Sequence, residues 1–325
     1  MSPASSPASS PASSPAVRRR SSAANRGFLL VVLASLCWGT AGLSGRVVAD
    51  RSGLSALDIA WYRLAVGAVA LLAAWAVTTR RRGPAVRVTR PVAVRLVLIG
   101  AGLAAYQFAY FSAVALAGVS IATLVALGLA PLLVAVGGAL LGHGRPSRAT
   151  LVALGVALVG LTLLVGVSAG ADTGTTVLLG ALTATGSALG YAVVTLSGGG
   201  VPAGTPVTLV GFALGALLLT PVVLAEGLTV PTDGVALAVL LYLGLVPSAL
   251  AYGLFFTGVR SVPGAVVSIV TLLEPLTATV LATVFLGERL APAAAAGGLL
   301  LLAAVSGLYL RELGGRGRAV AAPGA

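Results

Sequence analysis

One segment of this chain occurs twice. Val119 to Gly142 and Pro263 to Gly287 align at an offset of 144 residues, so that Ala130-Pro131-Leu132 lies on Glu274-Pro275-Leu276, and one added residue brings Gly287 onto Gly142. A recurrence at that distance marks a duplicated chain whose function belongs where the halves face each other.

Composition decides the solvent. Hydrophobic residues make up 58% of 325 and charged residues 9%, roughly a third of the charge of a soluble domain. Water cannot host that surface and a bilayer can. Each crossing needs about 20 apolar residues, because the hydrocarbon is about 30 Å thick and a helix rises about 1.5 Å per residue. Charged and Pro/Gly breaks divide the chain into ten spans: 27–48, 56–78, 92–115, 119–141, 149–168, 175–196, 206–225, 235–258, 263–286 and 291–310. No charge separates the third and fourth, around Leu116-Ala117-Gly118. The recurrence separates them, since Val259-Arg260-Ser261 holds the equivalent place in the second half and carries a charge. Five spans per half is odd, so the second half would be inserted inverted. The expected fold is an all-α membrane protein of two inverted five-helix repeats, 27–168 and 175–311, between tails 1–26 and 312–325.

All twenty basic residues are arginine. With the amino terminus in the cytoplasm, sixteen fall inside, Arg46, Arg51 and Arg289 fall outside, and Arg63 lies within a span, as the positive-inside rule requires. The net charge of +12 then follows from topology. Short juxtamembrane clusters without interleaved aromatics do not point to nucleic acid. Lipids are the expected surroundings, and the place is a cytoplasmic membrane, bacterial by the predominance of Ala, Leu, Val, Gly and Arg, with both termini expected in the cytoplasm. Residues 2–16 repeat Ser-Pro-Ala-Ser, and with Arg18 to Arg20 they form an expected disordered tail. No small-x-small cleavage site follows the arginines, so the first helix would be uncleaved.

Soluble-enzyme apparatus is not visible. His143 has no second ligand nearby, so no metal is expected. Cys37 is the only cysteine and reads as a small core residue. No lysine occurs, no serine has a base in register, and Ser197-Gly198-Gly199-Gly200 lacks the lysine and strand of a phosphate loop. No cofactor is expected.

Polar groups at membrane depth remain, and each costs several kcal/mol unless paired or facing water. Glu274 lies about ten residues into span nine, or about 15 Å deep. Pro275 has no N–H and its ring crowds the carbonyl of Thr271, which frees an acceptor near the carboxylate. Glu274 would hold a proton, a cation or a substrate ammonium; the other reading is a neutral glutamic acid bonded to a neighbouring helix. Arg63 would face a carboxylate or phosphate, or else snorkel or pair with Asp58. Trp38, Tyr106, Gln107, Tyr110 and Tyr252 line a cavity wall or an ordinary helix interface, with Tyr191 a weaker member.

Cys37-Trp38-Gly39-Thr40, Trp61-Tyr62-Arg63, Ala130-Pro131-Leu132, Leu273-Glu274-Pro275-Leu276 and Gly287-Glu288-Arg289-Leu290 occur in that order. Together they make the chain resemble the drug/metabolite transporter superfamily, of the type with two EamA domains, over about residues 27 to 311. The resemblance implies a ten-helix basket of inverted halves, a central substrate cavity, and export or import of small metabolites. Gly142-His143 departs from the Gly-Glu usual in that family, so a shared glutamate role is not expected. Glu288 reads as a helix-end and interface contact. The reading is a secondary transporter of metabolites or drugs, amino-acid-like or otherwise amphiphilic, working by alternating access in the export direction. The alternatives are a membrane scaffold docking through its tail and an intramembrane enzyme acting on lipid.

Overall fold

The computed structural model describes residues 15–78, 88–142, 148–168, 174–199, 201–202, 204–262, 267, 270–300, 302–304 and 306–307. Among them there is no strand. The helices are α1 (Pro15–Gly39), α2 (Ala41–Ser52), α3 (Ala56–Thr78), α4 (Arg90–Leu140), α5 (Arg148–Ser168), α6 (Gly174–Gly198), α7 (Val207–Glu226), α8 (Gly234–Gly244), a π-helical turn (Leu245–Leu250), α9 (Ala251–Gly258) and α10 (Leu273–Leu286). Residues 292–300 are also helical. Six segments are long and apolar enough to cross a membrane: Asn25–Ser52, Ala56–Val77, Arg90–Leu140, Gly174–Gly198, Val207–Glu226 and Gly234–Gly258. Apolar side chains such as Leu140, Leu217, Val284 and Phe285 stand exposed, a surface suited to lipid.

Fifty-one residues of α4 would measure about 75 Å as one rod, more than twice the hydrocarbon. Gly118 breaks it. Its φ of 82° and ψ of 168° lie outside the helical region, in backbone space open essentially to glycine alone. Expected spans three and four are therefore two helices meeting at a point, which sequence charge alone did not mark.

Two expectations need correction. The tail was expected to run to residue 26, yet α1 begins at Pro15, where proline suits a first helical position and the alanines and arginines that follow are helix formers. Residues 1–14, Arg80 to Arg82 and His143 lie outside the described residues. Expected span one lies within the single apolar segment Asn25–Ser52, interrupted only by a turn at Thr40, whose φ of -79° and ψ of -14° stay in the helical region. The Thr40 hydroxyl donates to the carbonyl of Cys37 at 2.7 Å and meets the Tyr242 hydroxyl at 2.9 Å, drawing α1 and α2 toward α8. Finally, the Thr271 carbonyl is not free beside Pro275. It accepts the Glu274 N–H at 3.0 Å, because a turn at Thr271 and Leu272 interrupts the span before α10 starts.

The halves pack on one another. α4 lies against α6 and α7, α3 against α7 and α8, α2 against α8, and α1 against α9 and α10. Hydrogen bonds follow the same pattern: Trp61 Nε1 donates to Thr220 Oγ1 at 3.0 Å, and Ser187 Oγ to the Tyr106 carbonyl at 3.0 Å. The main apolar core runs between Val48, Phe111, Leu132, Leu243 and Ala282, again from both halves. Gly142 and Gly287 close corresponding helices with φ of 83° and 67°, the left-handed C-terminal cap.

Candidate functional site

Pro247 builds one side of the site. Without an N–H it leaves the carbonyl of Leu243, four residues earlier, without its helical donor. Backbone there widens into the π-helical turn, and the Ser248 hydroxyl donates to that carbonyl at 2.9 Å. Ser248 Oγ in turn accepts from Arg63 Nε at 3.2 Å, while Arg63 Nη1 donates to Gln107 Oε1 at 3.1 Å. Arg63 is 4% exposed, Gln107 1% and Ser248 0%. The guanidinium therefore neither snorkels nor pairs with Asp58. That carboxylate accepts from the Ser55 N–H and hydroxyl at 3.1 and 2.8 Å while the Asp58 N–H donates back to Ser55, a capping box that starts α3. The Phe111 ring lies 5.9 Å from the guanidinium carbon of Arg63.

Glu274 enters from α10. It is the second residue of that helix, where the N–H end of the helix dipole favours a negative charge. Gly39 brings α1 onto it: a Cβ at Gly39 would lie 2.9 Å from the Glu274 carbonyl oxygen. Arg63 and Glu274 are within electrostatic range of one another, with the phenols of Tyr106, Tyr110 and Tyr252 in the same field. Among the described residues neither has an ion-pair partner, since the pairs found are Arg46 with Asp50 and Arg51 with Asp233.

Aromatic rings fill the space around these charges. Trp38 packs on Tyr252 at 5.2 Å and on Phe255 at 5.1 Å, and Tyr252 on Phe212 at 5.7 Å. Tyr106 stacks on Tyr110 at 6.4 Å and meets Tyr191 edge-on at 5.9 Å. Tyr110 shares a 2.8 Å hydrogen bond with Thr123. Half-buried Thr271 lies in the turn before α10, its N–H donating to the Val267 carbonyl at 2.9 Å. The residues singled out by depth in the sequence thus fall into a tyrosine group on α4, an aromatic group between α1 and α9, and the Arg63 cluster. Ser248 escaped that reading, although the adjacent Pro247 was a signal for it.

Glu288 lies apart from these groups. Its carboxylate accepts the N–H groups of Val119 and Ser120 at 2.7 and 2.9 Å, just past Gly118. It caps the returning half of α4 from the opposite repeat.

The profile of the EamA-like transporter family matches residues 25–166 and 175–310, one copy on each half. The uncharacterized transporter YwfM of Bacillus subtilis (strain 168) is 30% identical over 271 residues, which are 81% of this chain and 87% of that protein. A solved crystal structure shares the fold at a TM-score of 0.58 and 24% identity, covering 90% of this chain and 99% of its own. Two family domains in tandem, on a helical bundle with membrane-length apolar helices, place this chain in the EamA-like transporter family as a multi-pass membrane transporter.

Proposed function

We propose that the chain exports small organic metabolites or drugs, amino-acid-like or otherwise amphiphilic, across the bacterial cytoplasmic membrane by alternating access. Its two five-helix repeats would span the bilayer ten times in inverted orientation, with both termini in the cytoplasm. The observation that carries this reading is a buried Arg63 whose hydrogen-bond partners among the described residues are neutral, Gln107 from its own repeat and Ser248 from the other, in the field of Glu274.

A guanidinium has five N–H donors, and these contacts use two. Inside a bilayer an unpaired charge is expensive. A zwitterionic solute supplies a carboxylate or phosphate to Arg63 and an ammonium to Glu274, giving each the counter-charge that the protein withholds. The rings of Trp38, Tyr106, Tyr110 and Tyr252 would take its apolar body. When the ammonium leaves, a proton on Glu274 restores neutrality, which couples export to a proton gradient.

The test is solute and proton flux in liposomes, with wild type beside Glu274→Gln and Arg63→Ala. Solute-dependent proton movement lost in Glu274→Gln is expected. Wild-type flux by Glu274→Gln across an acid-to-alkaline series removes Glu274 from coupling. No flux of any solute by folded wild type favours the scaffold reading, and deleting residues 1–16 would then abolish partner docking while a transporter keeps its flux.

A further inference from the structure

Because α4 folds back at Gly118, its first and last turns return to the same end of the bundle. Between them and the end of α6 lies a groove of about 680 Å³. Its floor is aliphatic: Val94 is 53% exposed, Leu98 44%, Leu141 64% and Val193 40%. Arg90 and Arg95 stand at its head. Arg90 is the exposed first residue of α4, and the half-buried Arg95 reaches across to α6, its Nη1 donating to the Ser197 carbonyl at 3.4 Å.

Among the described residues no carboxylate balances this pair. Neither arginine is in an ion pair among the described residues, and the sequence has no acidic residue between Asp58 and Asp172. The Thr89 side chain does not cap α4, so the positive end of the helix dipole adds to the two guanidinium charges. Residues 90 to 98 cover about 12 Å along the helix. That distance separates a phosphate at the membrane interface from the upper part of its acyl chain. Two uncompensated cations above an exposed aliphatic strip match an amphiphile with an anionic head.

We propose that this groove binds an anionic glycerophospholipid, its phosphate between Arg90 and Arg95 and one acyl chain along Val94, Leu98 and Leu141. The site rests on the chain being a membrane protein and is independent of what is transported. The lipid would sit across α4 and α6, which belong to opposite repeats, and would brace the halves against each other at that end.

The experiment uses full-length protein in mild detergent, stripped of lipid and titrated with phosphatidylglycerol, phosphatidylcholine or inorganic phosphate. Native mass spectrometry and the thermal midpoint are the readouts. Phosphatidylglycerol alone should be retained and raise the midpoint. The double variant Arg90→Gln/Arg95→Gln should bind it about 25-fold more weakly, about fivefold per arginine, since a basic residue at an anionic surface contributes about 1 kcal/mol. Arg46→Gln, a change at the other end of the helices, should bind as wild type. Leu98→Trp fills the groove with both charges in place and should also lose the lipid. Equal retention of phosphatidylcholine overturns the proposal. So does an equal midpoint shift from phosphate, or wild-type phosphatidylglycerol binding by either groove variant.

Discussion

Arg63 is tolerated at depth because the chain supplies two neutral acceptors, one of them made by a proline. Ser248→Ala removes the acceptor of the Arg63 Nε bond and the donor to the Leu243 carbonyl together. Interhelical hydrogen bonds in membranes average about 0.6 kcal/mol and reach about 1.7, so the variant should lose about 1 kcal/mol of stability, read as a small drop in thermal midpoint. Its larger effect should be on solute KM, because among the described residues Gln107 is then the one hydrogen-bond partner left to Arg63. Unchanged KM with a lowered midpoint would make Ser248 structural only. Arg63→Lys should not restore transport lost in Arg63→Ala, since an ammonium lacks the planar fork that holds Ser248 and Gln107 at once. Arg63, Gln107 and Glu274 were readable in the sequence, because charged and amide groups at membrane depth are rare. Ser248 was not, because a serine in a membrane helix usually bonds its own backbone and attracts no notice. The expected Asp58 partner failed for a local reason: its carboxylate is engaged at the start of α3.

Helix ends carry the next level of information, and Gly118 with Glu288 is the clearest case. A Cβ at Gly118 would lie 2.8 Å from Glu288 Oε1, on a backbone with φ of 82°. Gly118→Ala therefore strains the turn and displaces the cap together, and should cost about 2 kcal/mol or more. Glu288→Gln keeps the shape but loses one charge-assisted bond to Val119 or Ser120, for about 1 to 2 kcal/mol. If the two act through one contact, the double variant should be less destabilised than the sum of the singles, as thermal unfolding in detergent can measure. Additive losses would mean that Gly118 is required for its backbone alone. The repeat was legible because Gly142 and Gly287 stop corresponding helices in the same way. The residues of the cap are not repeated in the sequence: His143 stands where Glu288 does, and Pro263, the counterpart of Val119, has no N–H. The turns at Thr40 and at Thr271 and Leu272 were hidden because apolar runs continue through both, and hydropathy does not register a turn whose groups are satisfied locally.

The two ends of the bundle are closed by different physics, and this sets what the proposed alternating access would require. At one end α1 crosses α9 with backbone against backbone: a Cβ on Gly258 would lie 2.7 Å from the Gly27 carbonyl oxygen. Val31, Val262, Val267 and Val270 form an apolar plug beside it. At the other end the halves meet through Arg51 and Asp233 at 3.9 Å, both partly exposed, and through the Glu288 cap. A cavity of about 260 Å³ there reaches Phe111, the ring next to Arg63. If the proposed export by alternating access holds, solute should approach Arg63 from the Arg51 end in this state, and its release at the other side would require the Gly27 and Gly258 crossing to part. Gly258→Val tests that. Overpacking costs about 1 to 3 kcal/mol, and only the closed crossing bears it, so the population open at that end should rise about fivefold to a hundredfold. Cys37 is half-buried in α1 beside Trp38 and is the chain's one cysteine, which makes it a native reporter. A membrane-impermeant maleimide added from the side of Arg18 to Arg20 should label Cys37 faster in Gly258→Val than in wild type. Saturating solute should slow the reaction by covering Trp38. Equal labelling in a folded variant would show that the crossing does not gate the path, and the moving parts would then have to be sought at the polar end.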